Sequence, residues 1–286
     1  MKRCVKASEP TALAAFREVR PASTWEDMRN DALHGGKKAY VEIKRSLVRS
    51  QRARCAYCEI EISSGVEDAA VDAAREKQRV EHFHPKRDFA GSVNWALHWP
   101  NLWAVCKGGS NKPIDNEIQD GRHYLPPLPD NLSCDAYKEL QRINGKLPDD
   151  PKGWILAPNE VPAFPLLFHF APDGRPEPHP ENCAGFVAVE NKYSNTAILV
   201  SKTIEHLNLG CNRLNRLRRI ARAQLEKNIE RARKANPSEA PQAILQRLAR
   251  RIFEDGQTTW PEFFTLVRWR LGAAAEDRLQ SIDFQG

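Results

Sequence analysis

The feature that most constrains the fold of this chain is a set of four cysteines that are distant in sequence but suited to one metal ion. Cys55 and Cys58 have the two-residue spacing with which a tight turn brings two sulfur atoms onto one ion. Cys106 and Cys134 complete a tetrahedral set, and no cysteine lies between them. We predict that these four residues bind a structural Zn²⁺ ion, which requires three separate segments of the chain to meet.

The cysteine count favours metal binding over disulfide bonds. The chain has seven cysteines, an odd number, and Cys4, Cys183 and Cys211 have no partner at ligand spacing. The amino terminus lacks the apolar core of a secretory signal, so reduced thiols are expected. Two alternatives stay open: Cys106 and Cys134 could be ordinary buried thiols, or the C-x-x-C could be redox-active, although no thioredoxin-like βαβ pattern surrounds it.

Length and composition indicate a folded chain of one large domain or two modest ones. The 286 residues are 41% apolar, which is enough for a sizeable core. No apolar run approaches the roughly 20 residues of a membrane span, so we expect a cytoplasmic protein without a membrane partner. The net charge of +6 permits a polyanionic partner such as nucleic acid without requiring one.

Hydrophobic periodicity predicts an α+β chain in four segments. The first is helical, with Thr24 as a helix cap, and the third contains the short strand-like runs PLLFHF and GFVAVE between turn residues. The last is largely helical and basic, and residues 259–262 have the form of a capping box. The predicted segments are residues 1–54, 55–141, 142–195 and 196–286.

A group of acidic, imidazole and amide side chains lies among the four cysteines. The sequence RVEHFHPK places Glu81 beside His82, and a second histidine, His84, is expected to pack rather than to act. Neighbours on a regular strand face opposite sides, so Glu81 and His82 reach one site only if the strand twists or ends, as Pro85 allows. Further candidates stand near the other cysteines, namely Asn101, Asp135 and Lys138.

Together, the motifs CAYC, VEHFHPK, NLWAVC and CDAYK resemble the HNH endonuclease family. The resemblance implies a zinc-stapled ββα-metal nuclease core over residues 55–141, with a helical lead-in and a largely helical C-terminal region. It implies that Glu81 and Asp135 hold a catalytic Mg²⁺ or Mn²⁺ ion, since carboxylate oxygens suit hard cations. It also implies that His82 is the general base, in an orientation fixed by Asn101.

Two departures from the family pattern leave the final ligand of the catalytic ion open. Asp135 stands where the family usually has Asn or His, which keeps an oxygen ligand. The interval between the last two cysteines is long, so Asn111 in KGGSNKP is a rival ligand. We favour Asp135 because this choice keeps Cys134 in the zinc site. If Cys134 is not a zinc ligand, His123 is the next candidate.

A narrower resemblance extends over most of the chain. The basic helix before CAYCE, the EHFHPK motif and the later TIEHLNLGCNRLNRLRR are similar to the PtuB nucleases of Septu systems and of certain retrons. The resemblance implies anti-phage DNA cleavage with a PtuA-type ABC ATPase as partner, and in a retron also the reverse transcriptase and its msDNA. The alternatives are an RNA substrate such as tRNA, or a catalytically vestigial zinc-stapled adaptor that binds nucleic acid.

The C-terminal helices carry a concentration of positive charge. Residues 213–251 contain twelve Lys or Arg against three Glu. Arginine suits bidentate contacts to phosphate or to the carboxylates of an acidic partner, but a solvated helix face explains the charge as well as such a functional surface does. The candidate nucleic-acid-binding residues are Lys138, Arg213, Arg216, Arg218, Arg219 and Arg222.

Overall fold

The computed structural model describes residues 1–87, 93–110 and 129–286. Asn111 and His123, two of the candidates from sequence, lie outside these ranges. The helices are α1 (Thr11–Val19), α2 (Trp25–Asn30), α3 (Gly36–Ser50), α4 (Asp68–Ala73), α5 (Cys134–Ile143), α6 (Pro180–Gly185), α7 (Thr196–His206), α8 (Asn212–Ala235), α9 (Pro241–Ile252), α10 (Phe264–Leu271) and α11 (Ala273–Ser281). The strands are β1 (Gln78–His82), β2 (Leu102–Cys106), β3 (Phe168–Phe170) and β4 (Pro176–Pro178). The mixture of helices and short strands agrees with the predicted α+β class.

Strands β1 and β2 form an antiparallel pair on which helices pack. The register places Glu81 opposite Trp103 and His82 opposite Leu102. Strand β2 is buried along its whole length, and both α3 and α5 contact it. At the end of α3, the Gln51 amide donates to the Ala104 carbonyl (2.6 Å) and accepts from the Ala104 amide (2.8 Å). The side chain of Gln51 therefore bonds β2 as a further strand would, which fixes the end of α3 just before the first cysteine.

The N-terminal helices form where the sequence predicts them. The Thr24 hydroxyl accepts from the Asp27 amide (3.1 Å) and the Asp27 carboxylate accepts from the Thr24 amide (3.0 Å), a capping box that begins α2. Helix α3 begins at Gly36, where a Cβ atom would lie 2.3 Å from the Met28 carbonyl oxygen. Only glycine permits this approach, so the turn between α2 and α3 is tight and the two helices pack directly on each other.

Two sequence-based expectations about local structure are wrong. GFVAVE forms no strand: its residues alternate between buried and exposed, as in a strand, but Val187 and Val189 lie in solvent and no strand pairs with them in the described chain. The capping box at residues 259–262 is absent, because α10 begins only at Phe264 and the Glu262 carboxylate instead accepts from the Glu61 amide (2.9 Å). The run PLLFHF does supply β3, which the turn at Gly174 joins to β4.

The buried apolar residues form two main clusters. The larger combines the N-terminal helices, the cysteines, β2 and α7, and the smaller is built from α8 to α11 around residues such as Ile229, Ile244 and Phe264. The N-terminal helices and the strand pair thus share one core, which holds α2 and α3 beside β1. The division into four segments stays a prediction.

Within the described ranges, no helix combines the length and the apolar character needed to cross a bilayer.

Candidate active site and metal centre

The four predicted cysteine ligands converge on one point. Their sulfur atoms all lie within 4.8 Å of one another, and all four residues are buried. The Sγ separations are 4.0 Å for Cys55–Cys134, 3.7 Å for Cys58–Cys106 and 3.8 Å for Cys106–Cys134. A tetrahedral ion with bonds of roughly 2.3 Å to sulfur requires sulfur separations of roughly 3.8 Å. The four thiols therefore fit a metal ion such as zinc.

Local backbone geometry brings Cys134 to the end of β2. The amide of Ser133 donates to the Gly108 carbonyl (2.9 Å), and a Cβ atom on Gly108 would lie 2.2 Å from the Ser133 carbonyl oxygen. Gly108 also has a φ of +63°, so only glycine fits this turn without strain. The first residue of α5 is consequently held against Cys106, despite the long interval between them in sequence.

The pKa values of the thiols in the four-cysteine cluster are consistent with binding of a cation. Hydrogen bonding, first with the Cys134 thiol, holds the pKa of Cys106 well below its usual range. Burial raises the pKa of Cys58 and of Cys134 well above theirs. The negative charge is thus favoured at Cys106 and opposed at Cys58 and Cys134, and a bound cation would replace the protons of those two thiols.

Glu81 and Asp135, the predicted ligands of the catalytic ion, meet although they come from β1 and α5. Burial, followed by the charge of Asp135, raises the pKa of Glu81 well above its usual range. Burial opposes ionisation of Asp135 as well, but its hydrogen bond with Glu81 and the charge of Arg79 lower its pKa. Glu81 therefore holds a proton that it shares with the Asp135 carboxylate.

Three side chains surround this carboxyl pair. Arg79 Nε lies 2.9 Å from Asp135 Oδ2. The Lys138 ammonium lies against Glu81, where it balances the single negative charge that the two acids share, and it donates to the carbonyls of His82 (2.9 Å) and Phe83 (2.8 Å). The hydroxyl of Tyr57, a fully buried residue within the C-x-x-C turn, donates to Glu81 Oε1 (3.2 Å). Each contact holds one of the two acids in place.

Lys138 is therefore a largely internal residue, and its predicted contact with nucleic acid stays a prediction. Its side chain is 5% exposed and lines the cavity beside Glu81. By holding two successive carbonyls, Lys138 fixes the chain where β1 ends. Glu81 and His82 consequently line the same cavity, of about 850 Å³, as the predicted strand end requires.

Replacement of Lys138 by methionine is expected to lower the free energy of unfolding by about 3 kcal/mol, because it removes one partner of a buried ion pair. The change also leaves two backbone carbonyls without a donor. Urea unfolding monitored by circular dichroism measures the effect. Lys146→Met, an exposed position just beyond the same helix, serves as the control and should change stability little. Equal stabilities of the two variants would contradict this role.

His82 is held as a neutral imidazole. Its Nε2 lies 3.1 Å from the carbonyl oxygen of Ala96. Because that oxygen can only accept a hydrogen bond, Nε2 carries the hydrogen and Nδ1 carries the free lone pair. The indole of Trp25 meets the imidazole edge-on, with ring centroids 4.6 Å apart. Burial lowers the pKa of His82 to about 4. The ring is thus uncharged at neutral pH and able to accept a proton.

Asn101 acts on the backbone around His82 and does not touch the imidazole. Its Oδ1 accepts from the His84 amide (2.7 Å), and its Nδ2 donates to the carbonyls of His84 and Trp95 (both 2.9 Å). These bonds join the end of β1 to the segment whose next carbonyl, that of Ala96, holds His82. The predicted orienting contact is therefore indirect. His84 stacks on Trp95 with centroids 4.2 Å apart, the packing role expected from sequence.

The basic residues of α8 divide into two groups. Arg213 and Arg218 are buried: Arg213 donates to the Ser133 hydroxyl (2.5 Å) and Arg218 to the Leu209 carbonyl (2.7 Å). Their prediction as nucleic-acid contacts is wrong, because a guanidinium enclosed by the protein cannot reach a phosphate. Arg216 and Arg219 are exposed and Arg222 is half-buried, so these three keep the predicted role as a hypothesis.

Several residues of the site were missed from sequence. Tyr57 lies between two predicted ligands and Arg79 two positions before Glu81, so a search along the motifs could have found both. Trp25, Arg29 and Tyr40 line the same cavity from α2 and α3. Nothing local connects these three with the motif, because only the tertiary fold brings the helices beside β1.

A relative that covers most of the chain shows that this protein belongs to the HNH endonuclease family, a family of nucleases. That relative is the HNH endonuclease assigned to retron Ec83 of Escherichia coli, with 37% identity over 224 residues, which are 77% of this chain and 78% of the relative. No family model matches the chain. The expectation of an HNH nuclease is therefore confirmed.

Proposed function

We propose that this protein is a metal-dependent endonuclease that hydrolyses phosphodiester bonds of DNA, with β1, β2 and α5 as its ββα-metal core and zinc in the four-cysteine site. The observation that carries the proposal is the convergence of Glu81, His82 and Asp135 on one cavity from two separate elements. An adaptor that only binds nucleic acid has no need to bring an acid pair and a neutral imidazole together.

The acid pair suits a divalent cation. Two carboxylates are the usual protein share of a Mg²⁺ site, whose other positions are filled by water and substrate phosphate. Such a cation would stabilise the negative charge that develops at the leaving oxygen. Before both carboxylates can bind it, Glu81 must release the proton that it shares with Asp135, and the Lys138 ammonium must yield an oxygen of Glu81.

His82 is suited to activate the attacking water. Its Nδ1 accepts a proton from a water molecule that enters the cavity, and the ring becomes an imidazolium. The Ala96 carbonyl already accepts the Nε2 hydrogen and stabilises the charge that forms on the ring. Asn101 and Trp25 hold the ring and its carbonyl partner in place, so His82 need not reorient during the reaction.

Replacement of Asp135 by alanine is expected to raise the Mn²⁺ concentration needed for half-maximal cleavage at least about tenfold, because one of two oxygen ligands is lost. Asn111→Ala, the rival ligand, should change it little. Titration of Mn²⁺ in a cleavage assay with labelled DNA measures both. A larger effect of Asn111→Ala would reverse the assignment of the final ligand.

The retron name of the relative supports a place in bacterial anti-phage defence. The proposed partners are a PtuA-type ABC ATPase and a retron reverse transcriptase with its msDNA, with exposed Arg216 and Arg219 available for phosphate contacts. The deciding experiment incubates the purified protein, with and without the ATPase, with labelled DNA and labelled RNA in Mg²⁺ or Mn²⁺. Cleavage of DNA is expected. Cleavage of RNA alone would change the substrate, and binding without cleavage under every condition would favour the adaptor.

A further inference from the structure

One wall of the catalytic cavity combines aromatic rings with positive charge, and the proposed hydrolysis uses only its Trp25 ring, which holds His82. This N-terminal wall consists of Trp25 and Arg29 from α2 and Tyr40 from α3, and Lys44 of α3 lies beside Tyr40. The Trp25 and Tyr40 rings are 5.7 Å apart. The Arg29 guanidinium lies 5.0 Å and the Lys44 ammonium 5.8 Å from the centre of the Tyr40 ring.

The wall begins at the catalytic histidine. Trp25 contacts the His82 ring on one side and Tyr40 on the other, and Arg29 and Tyr40 line the cavity together with His82. A strand whose scissile phosphate lies beside His82 must therefore extend either along this wall or away from it.

The wall is held rigidly. The tight turn at Gly36 fixes the angle between α2 and α3, and Asp31 in that turn accepts from the His34 amide (2.6 Å). The guanidinium of Arg29, an exposed residue, lies over the Tyr40 ring in a cation–π contact that does not use its hydrogen-bond donors. The donors of Arg29 are consequently held near the ring and remain open to a ligand.

The Arg29 guanidinium has no carboxylate within ion-pair distance among the described residues, whereas the charges of Asp72 and Glu76 act on Lys44. Glu26, one turn before Arg29, pairs instead with Lys86. Asp31, just after α2, pairs with His34 (2.8 Å). A guanidinium on an aromatic ring, with no carboxylate beside it in the described chain, favours an anionic ligand from outside the chain.

The donor geometry decides which anion fits. A guanidinium presents parallel N–H groups that match the oxygens of a phosphate, and contacts of this kind position a nucleic-acid backbone. We propose that Arg29, supported by the ring of Tyr40, binds a backbone phosphate next to the scissile one and so directs the substrate strand along the N-terminal wall. This inference rests on the proposed nuclease function and names the part of the chain that holds the strand beside the cut.

The first test measures equilibrium binding of a fluorescent oligonucleotide to the full-length protein in the His82→Ala background, so that no cleavage intervenes. Arg29→Gln is expected to weaken binding about tenfold at low salt and to reduce by about one the slope of log affinity against log salt, as loss of one phosphate contact requires. Arg20→Gln is the matched control, because Arg20 is exposed and does not line the cavity, and it should leave the slope unchanged. Equal slopes for the two variants would overturn the inference.

A second test separates support of the guanidinium from general damage. Tyr40→Phe keeps the ring and should bind as the parent does, whereas Tyr40→Leu should weaken binding several-fold. In the wild-type background, which keeps His82, the substitution Arg29→Gln should raise KM several-fold with little change in kcat. If Tyr40→Phe were as weak as Tyr40→Leu, the ring would not be the support.

The outcomes also separate the two proposals. If the wild-type protein cleaves DNA but Arg29→Gln leaves the salt dependence of binding unchanged, the phosphate contact of Arg29 is contradicted and the nuclease function is retained. Binding that depends on Arg29, without cleavage under any metal condition, would overturn the catalytic function and leave the phosphate site standing. Absence of binding by the parent protein would overturn both.

Discussion

Replacement of His82 by alanine is expected to lower the cleavage rate at least about 100-fold, the usual scale for loss of a general base. No other imidazole lines the cavity within the described chain, so no neighbouring histidine is placed to take the proton. The change should leave the metal content unaltered, because His82 is not part of the cysteine cluster. Single-turnover cleavage of labelled DNA, with thermal unfolding and metal analysis on the same samples, measures the three quantities.

The matched control for this prediction is His98→Ala. His98 lies two residues after Ala96 and packs edge-on against Trp95, but it does not line the cavity. It should keep nearly full activity. A His82→Ala protein that cleaves as fast as His98→Ala would remove the assigned base from the mechanism, whereas a loss of rate accompanied by unfolding would indicate a structural role for the ring.

Replacement of Cys58 or Cys134 by serine is expected to remove the bound structural metal and to unfold the region around it. Binding of a structural zinc ion contributes about 10 kcal/mol of folding free energy, which is comparable with the whole stability of an ordinary domain. Cys58 and Cys134 lie in different segments, so loss of either disconnects the C-x-x-C turn from the start of α5. Elemental analysis should give about one zinc per chain for the wild type and much less for these variants, with a large fall in melting temperature.

Cys4→Ser and Cys183→Ser provide the controls for the metal site. Both cysteines are buried, so each substitution carries the ordinary cost of a polar atom in the core. Neither belongs to the four-cysteine cluster, and both variants should retain the zinc. Full zinc content in Cys134→Ser would show that the fourth ligand lies elsewhere, with His123 the next residue to replace.

The sequence predicted which residues of the candidate site converge better than it predicted the contacts that support them. The four cysteines, Glu81, His82 and Asp135 belong to short motifs whose residue types follow directly from what metal binding and proton transfer need. Charge in a sequence indicates a surface, whereas the cations Lys138, Arg213 and Arg218 are buried beside acids, carbonyls and a hydroxyl. Pairing of that kind depends on tertiary contacts that no local pattern contains.

The secondary structure shows the same limit. Capping at Thr24 is local chemistry and was predicted correctly. A strand requires a partner, and GFVAVE has the right alternation but pairs with no strand among the described residues. The wall formed by Trp25, Arg29 and Tyr40 could not be predicted from the sequence, because it exists only where α2 and α3 share a core with β1.

Tyr57 connects the four-cysteine site with the proposed catalytic cation site, so the first is expected to form before the second. Its backbone belongs to the turn between Cys55 and Cys58, while its hydroxyl holds Glu81. Glu81, which would bind the catalytic cation, is therefore held by a residue of the turn that carries Cys55 and Cys58. If the proposed sites are correct, we expect a newly made chain to become competent to cut only after its cysteines have bound their metal. An oxidant or chelator that empties the thiol site is then expected to inactivate the nuclease even when the proposed catalytic cation is plentiful.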